Sequence, residues 1–125
     1  MTNQELIAYA KEAMQLAYAP YSHFQVGAAL LCNDGTVVTG CNIENASYGA
    51  TICAERTAVV KAVSSGVQQF QKIAIVCSEG TQAYPCGICL QVLSEFMSEG
   101  QVLLEDSSGI HEYQLVELLP KAFHL

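Results

Sequence analysis

KIAIVC, residues 72–77, governs how the rest of this chain has to be arranged. It is a short β-branched apolar run with no alternating polar face, the pattern of a strand covered on both sides. A strand of that kind belongs inside a sheet, with helices packed on its faces. Its neighbours in sequence supply helices on either side. Upstream, helical character starts at about Cys53, runs to about Val63 and is ended by Ser64-Ser65-Gly66. Downstream, loop residues 78–85 lead into a second helix from about Cys86 to Met97.

The remaining segments complete the pattern. Residues 4–18, QELIAYAKEAMQLAY, place Leu6, Ile7, Ala10, Met14 and Ala17 on one helical stripe, which Pro20 ends. FQVGAALL, residues 24–31, reads as a buried strand, and Asn33-Asp34-Gly35-Thr36 as a turn returning into VVTG. CNIENASYGAT, residues 41–51, is polar, is broken by Gly49 and reads as a loop, where ligand contacts on a rigid scaffold usually sit. QVLLE and HEYQ flank an Asp106-Ser107-Ser108-Gly109 turn as two more strands, and VELLP suggests a short helix stopped by Pro120. The order is helix, hairpin, helix, strand, helix, strand, strand, helix. With no repeats, linkers or low-complexity tracts, it predicts one domain over residues 1–125, an α/β fold built on one central sheet.

Composition limits what such a domain does. The 125 residues are 51% hydrophobic and only 14% charged, well below the usual share of about 25% charged. So few charges predict that apolar surface is hidden by self-association. Five basic against twelve acidic residues give a net charge of −7. Lys11, Arg56, Lys61, Lys72 and Lys121 form no run, which argues against polymeric nucleic acid as a partner. A neutral or cationic small molecule fits better. Residues 1–22 show no basic leader before an apolar stretch, and no segment approaches the roughly 20 apolar residues of a membrane span. The expectation is a cytoplasmic protein, in which six cysteines read as metal ligands or buried thiols rather than disulfides. Cys32, Cys41 and Cys77, among apolar or small neighbours, read as structural thiols.

The other three cysteines fall where loops enter helices. PCGIC, residues 85–89, sets Cys86 and Cys89 at C-x2-C spacing, and CAERTA, residues 53–58, adds Cys53 from another helix start. Helix N-termini favour anions, so thiols there ionise readily and suit a zinc ion. Three protein ligands leave a catalytic zinc an open position, whereas a fourth makes the site structural. Cys41, His23, His111 or His124 could close it from afar, so both readings stand on the residues alone. Glu55 bears on the choice. A glutamate in a first helical turn ordinarily compensates the dipole. Here it is also the only acidic residue near a ligand in sequence, placed to take a proton from water. Arg56, the single arginine, is either a solvated surface group or a counter-charge that restores electrophilicity to a metal bearing three thiolates.

C-A-E followed by P-C-x-x-C at this separation resembles the zinc deaminases. Together with APYSHFQVGAAL, GCNIENASYG and LLPKAF, the chain is similar nearly end to end to the cytidine deaminase family, in its small homotetrameric form. The resemblance implies a three-layer α/β/α sandwich with a central mixed sheet of about five strands. It implies one Zn²⁺ per subunit on Cys53, Cys86 and Cys89, with Glu55 shuttling protons as water attacks C4 of cytosine and ammonia departs. Cytidine and 2′-deoxycytidine would become uridine and 2′-deoxyuridine, a pyrimidine-salvage reaction. Asn42 and Glu44 match residues that hydrogen-bond the ribose; without the resemblance they would read as loop caps. Phe24 matches an aromatic lining the base pocket, although the strand pattern alone makes it core. The Ala54 backbone matches the group reading the pyrimidine edge. Ala46, Tyr48 and Phe123 match residues lent to a neighbouring subunit's pocket. Two positions depart from the family: Leu90 stands where arginine is usual, and Ile88 where a small residue is common. Rival readings are a deaminase of nucleoside-like antibiotics and a zinc-stapled binding module without catalysis.

Overall fold

In a computed structural model describing all 125 residues, the run at 72–77 is the core of β3 (Phe70–Cys77), the middle strand of a five-stranded sheet. The other strands are β1 (Val26–Cys32), β2 (Val37–Cys41), β4 (Gln101–Asp106) and β5 (Gly109–Gln114), in the order β2-β1-β3-β4-β5. The helices are α1 (Asn3–Met14), α2 (Ala54–Ser64), α3 (Gly87–Phe96) and the short α4 (Leu115–Leu118). Both faces of β3 are covered, as its unalternating sequence requires. Ile73 and Ile75 join the larger core with Ala58, Val59, Leu90 and Leu93 of α2 and α3. Ala74 and Val76 point the other way, packing with Leu6, Ile7 and Ala10 of α1. The result is the expected three-layer α/β/α sandwich around a mixed sheet.

Strand directions explain why the cysteines meet. β1 is antiparallel to both β2 and β3, so β2 and β3 run the same way; β4 is parallel to β3. The chain therefore makes two successive crossovers, β2-α2-β3 and β3-α3-β4, between strands of common direction. Each helix is entered from the C-terminal end of a strand, so α2 and α3 both begin at one edge of the sheet. Ligand sites in open α/β sheets sit at that edge.

Two close approaches hold the helices on the sheet. Gly27 in β1 lies against the backbone of Ala10 and Met14 in α1. A methyl on Gly40 in β2 would lie 2.5 Å from Ala58 N and 2.7 Å from the Ala54 carbonyl oxygen, both backbone atoms of α2. Backbone cannot swing aside as a side chain can. Gly40→Ala is expected to cost at least the ~1–3 kcal/mol of overpacking, lowering Tm, and to weaken zinc binding because α2 carries Cys53. An unchanged Tm would show that α2 is free to move.

α1 is shorter than its stripe predicts. A capping box starts it: Glu5 N–H donates to Thr2 Oγ1 at 3.1 Å, and Thr2 N–H donates to Glu5 Oε2 at 2.9 Å. It ends at Met14, well before Pro20, because the following segment bonds elsewhere. Tyr18 N–H donates to the Asn42 carbonyl at 3.0 Å, and Glu44 N–H to the Tyr18 carbonyl at 2.8 Å. β1 likewise begins at Val26 rather than at Phe24. The 41–51 loop contains a 3-10 turn at Tyr48–Ala50, and Ile43 bridges both Tyr18 and Ile52. No helix is long and apolar enough to cross a membrane.

Candidate metal centre and a separate pocket

Cys53 is the N-cap residue of α2 and Cys86 that of α3, and neither side chain caps its own helix. Cys89 sits in the first turn of α3, fully buried. The three sulfurs lie within 4.8 Å of one another, Cys53 and Cys86 at 3.9 Å. Thiolates placed tetrahedrally at about 2.3 Å from zinc stand roughly 3.8 Å apart, so the donor set fits that ion with small adjustments. The group contains these three residues alone. Cys41 and the histidines do not join it; the His111 ring is bound to Asp106 and Ser108 instead. Three sulfur donors and no fourth protein ligand are the pattern of an open site.

The surroundings add charge control. An Arg56 guanidinium nitrogen donates to Cys53 Sγ at 3.5 Å, while its Nε is buried without a partner. The structure thus places the Arg56 guanidinium against the sulfur cluster. Hydrogen bonding from Cys89 lowers the Cys53 thiol to about 5, with Arg56 and Cys86 helping against partial burial. The same hydrogen bond, seen from its other end, raises Cys89, as do its burial and the charge of Glu55. One thiol of the pair gives up its proton easily and the other keeps it. Glu55, in the first turn of α2, is only 5% exposed. Burial, the largest cause, lifts its carboxyl to about 7; its own backbone N–H opposes this and the Cys53 charge adds to it. The N–H groups of Ala54, Glu55 and Arg56 have no backbone acceptor, as in any first turn.

The polar loop builds a separate hollow. A cavity of about 340 Å³ is lined by Tyr21, Ser22, Glu44, Asn45, Tyr48 and Thr51. Glu44 is anchored there: Oε1 accepts from Tyr21 N–H at 3.0 Å and Ser22 N–H at 3.1 Å, and Oε2 bonds the Ser22 hydroxyl. Those bonds, the Ser22 hydroxyl first, hold its carboxyl below the ordinary range. Asn42 is buried and its amide braces the approach to β1, accepting from Val26 N–H and donating to the Phe24 carbonyl, both at 2.8 Å. Half-buried Phe24 stands outside the strand. Ala54 is buried at the head of α2, whereas Ala46, Tyr48 and Phe123 are exposed, Tyr48 at 78% and Phe123 at 61%. The structure thus gathers Cys53, Cys86, Cys89, Glu55 and Arg56, places Glu44 and Tyr48 along one cavity, and leaves Phe123 on the surface. Leu90 is buried in the main core and Ile88 is exposed. Tyr21, Ser22 and Thr51 had not been singled out, although the first two lie in APYSHFQVGAAL and Thr51 closes the polar loop of residues 41–51.

A family model described as the cytidine and deoxycytidylate deaminase zinc-binding region matches residues 1–104. The cytidine deaminase of Sporosarcina psychrophila is 50% identical over 125 residues, covering 98% of this chain and 92% of that protein. The chain belongs to the cytidine deaminase family. Another cytidine deaminase, from Halalkalibacterium halodurans, is also 50% identical, with 98% of this chain and 95% of the relative covered. Among solved structures, the cytidine deaminase of Burkholderia pseudomallei matches with a TM-score of 0.93 and 46% identity, over 98% of this chain and all of that one. Membership makes the chain an enzyme with a zinc-binding region, in keeping with the three-thiol cluster.

Proposed function

We propose that this member of the cytidine deaminase family hydrolyses the C4–N4 bond of cytidine and 2′-deoxycytidine. The products are uridine or 2′-deoxyuridine and ammonia. The observation that carries the reading is the convergence of Cys53, Cys86 and Cys89 beside buried Glu55. In it, one zinc is held by those sulfurs; when bound, it acts as a Lewis acid that acidifies water at neutral pH. Glu55 accepts the proton of the water that attacks C4 and delivers it to N3. It then helps protonate the amine, so that C4–N4 breaks with release of ammonia after C4–O has formed. Arg56 donates to Cys53 and withdraws charge from the sulfurs.

Substrate placement follows from the surrounding groups. Glu44 and Asn42 face the ribose hydroxyls, Glu44 from the wall of the 340 Å³ cavity. Phe24 lines the base, and the free N–H of Ala54 reads its edge. Exposed Tyr48, Ile88 and Phe123, together with the low charge content, support a homotetramer whose neighbours contribute Ala46, Tyr48 and Phe123 to each pocket. The domain spans residues 1–125 and works in the cytoplasm.

The deciding experiment follows cytidine absorbance with purified protein before and after chelation. Turnover should vanish with the metal and return with added zinc. A structural zinc module would hold the ion and leave cytidine unchanged. Removal of residues 120–125 should weaken nucleoside binding at least several-fold while zinc stays bound, since Phe123 offers a stacking face worth about 1 kcal/mol or more. Unchanged KM in that deletion would exclude Phe123 from the pocket.

A further inference from the structure

The segment leading to Cys86 is held in an unusual way. Residues 81–85 make no backbone–backbone hydrogen bond, although the next residue must deliver a sulfur to the cluster. Side chains do the work instead. The Gln82 amide donates to Asp106 Oδ2 at 3.1 Å, and its Oε1 accepts from the Tyr113 hydroxyl at 2.6 Å. That hydroxyl lies 3.3 Å from the hydroxyl of Tyr84, and the two rings pack at 5.9 Å between centroids. Asp106 is fixed in turn: its Oδ1 accepts from Ser108 N–H at 2.9 Å and from the Ser108 hydroxyl at 2.6 Å, with His111 Nε2 at 2.9 Å. A rigid β4–β5 hairpin is thereby tied to a loop that has no ladder of its own. Pro85, buried, follows Tyr84 directly and precedes the ligand.

We propose that Gln82 and Tyr113 are positioning residues for the metal centre, acting through Tyr84 and Pro85 on the turn that presents Cys86 and Cys89. The inference rests on the zinc reading above. Gln82 is suited to the part because its amide is donor and acceptor at once, joining a carboxylate to a phenol. Outer partners that orient metal ligands typically change metal affinity or activity 10–100-fold when removed.

The test measures zinc release from the loaded protein into excess chelator, together with the thiolate-to-metal absorption of the cobalt-substituted form. Gln82→Leu, which loses both bonds, should release zinc about 10–100-fold faster and shift the cobalt band. Tyr113→Phe keeps the ring pair and should move both readouts in the same direction by a smaller factor. It carries the test if Gln82→Leu fails to fold. Glu112→Gln alters the same hairpin, where Glu112 pairs only with Lys72 at 3.7 Å, without touching Gln82, Asp106 or the Tyr113 hydroxyl, and should match the unmodified protein. Release rates and spectra unchanged in the folded variants would overturn the proposal. Acceleration in Glu112→Gln equal to that in the others would also overturn it, by reducing the effect to hairpin stability. Failure of the unmodified chain to bind zinc would instead refute the metal reading, and the loading step shows that separately.

Discussion

Glu55→Gln is expected to hold zinc at one ion per chain while cytidine turnover falls by about 10²–10⁴-fold, the contribution of a positioned general acid–base. The substitution keeps the length and shape of the side chain. It therefore leaves the packing of a residue that is only 5% exposed and does not disturb the three sulfurs. A neutral amide in that position is no harder to bury than a carboxylate, so folding should survive. What it cannot do is accept a proton from water and pass it to the ring nitrogen. The loss should appear in kcat, with KM little changed. Metal analysis and the absorbance assay on one preparation separate the outcomes. High residual turnover with full zinc would remove Glu55 from the chemistry and return it to dipole compensation.

Cys89→Ser should abolish turnover by a different route, through loss of the ion itself. Serine preserves the volume of a fully buried site, yet its hydroxyl does not ionise like a thiol and is a poor partner for zinc. Two sulfurs would remain, both nearer the surface. Cys32→Ala is the instructive contrast. That cysteine is also fully buried, but within the sheet and core, so its removal should cost about 1 kcal/mol of packing and leave zinc content and kcat intact. If Cys89→Ser retained stoichiometric zinc, the three-sulfur site would be wrong. If Cys32→Ala lost it, the distinction between ligand and structural thiols would be wrong.

The parts of this arrangement that were legible beforehand share a cause. KIAIVC could be read because a strand covered on two faces has no reason to alternate, and its neighbours bear that out. The cysteines could be read because C-x2-C spacing and a helix start are local features. Glu55 and Arg56 were visible by adjacency to Cys53, and the structure adds the 3.5 Å bond from the Arg56 guanidinium to Cys53 Sγ. The end of α1 was not legible: its stripe continues to Ala17, and the helix stops only because Tyr18 finds partners at Asn42 and Glu44. Asn42 illustrates a different limit. Both its expected parts, loop brace and ligand group, fit a polar side chain, and the brace is what the geometry displays. Gln82 and Tyr113 gave no sign at all, being polar residues far apart in sequence and joined only by folding. Leu90, flagged as a departure from the family, is ordinary core.

Because β3 is common to both crossovers, the placement of the sulfurs is inherited from strand register and helix docking, not from the conformation of the segment between β2 and α2. In its exposed part, residues 45–49, that segment can change length or side chains and, on the function proposed above, which sugar or base is admitted, while the reactive machinery stays put. Insertions would be tolerated there and not in β3, where displacement by one residue would turn every side chain toward the opposite layer. Selectivity and reactivity are therefore separable in this fold, and selection or engineering can alter one without the other.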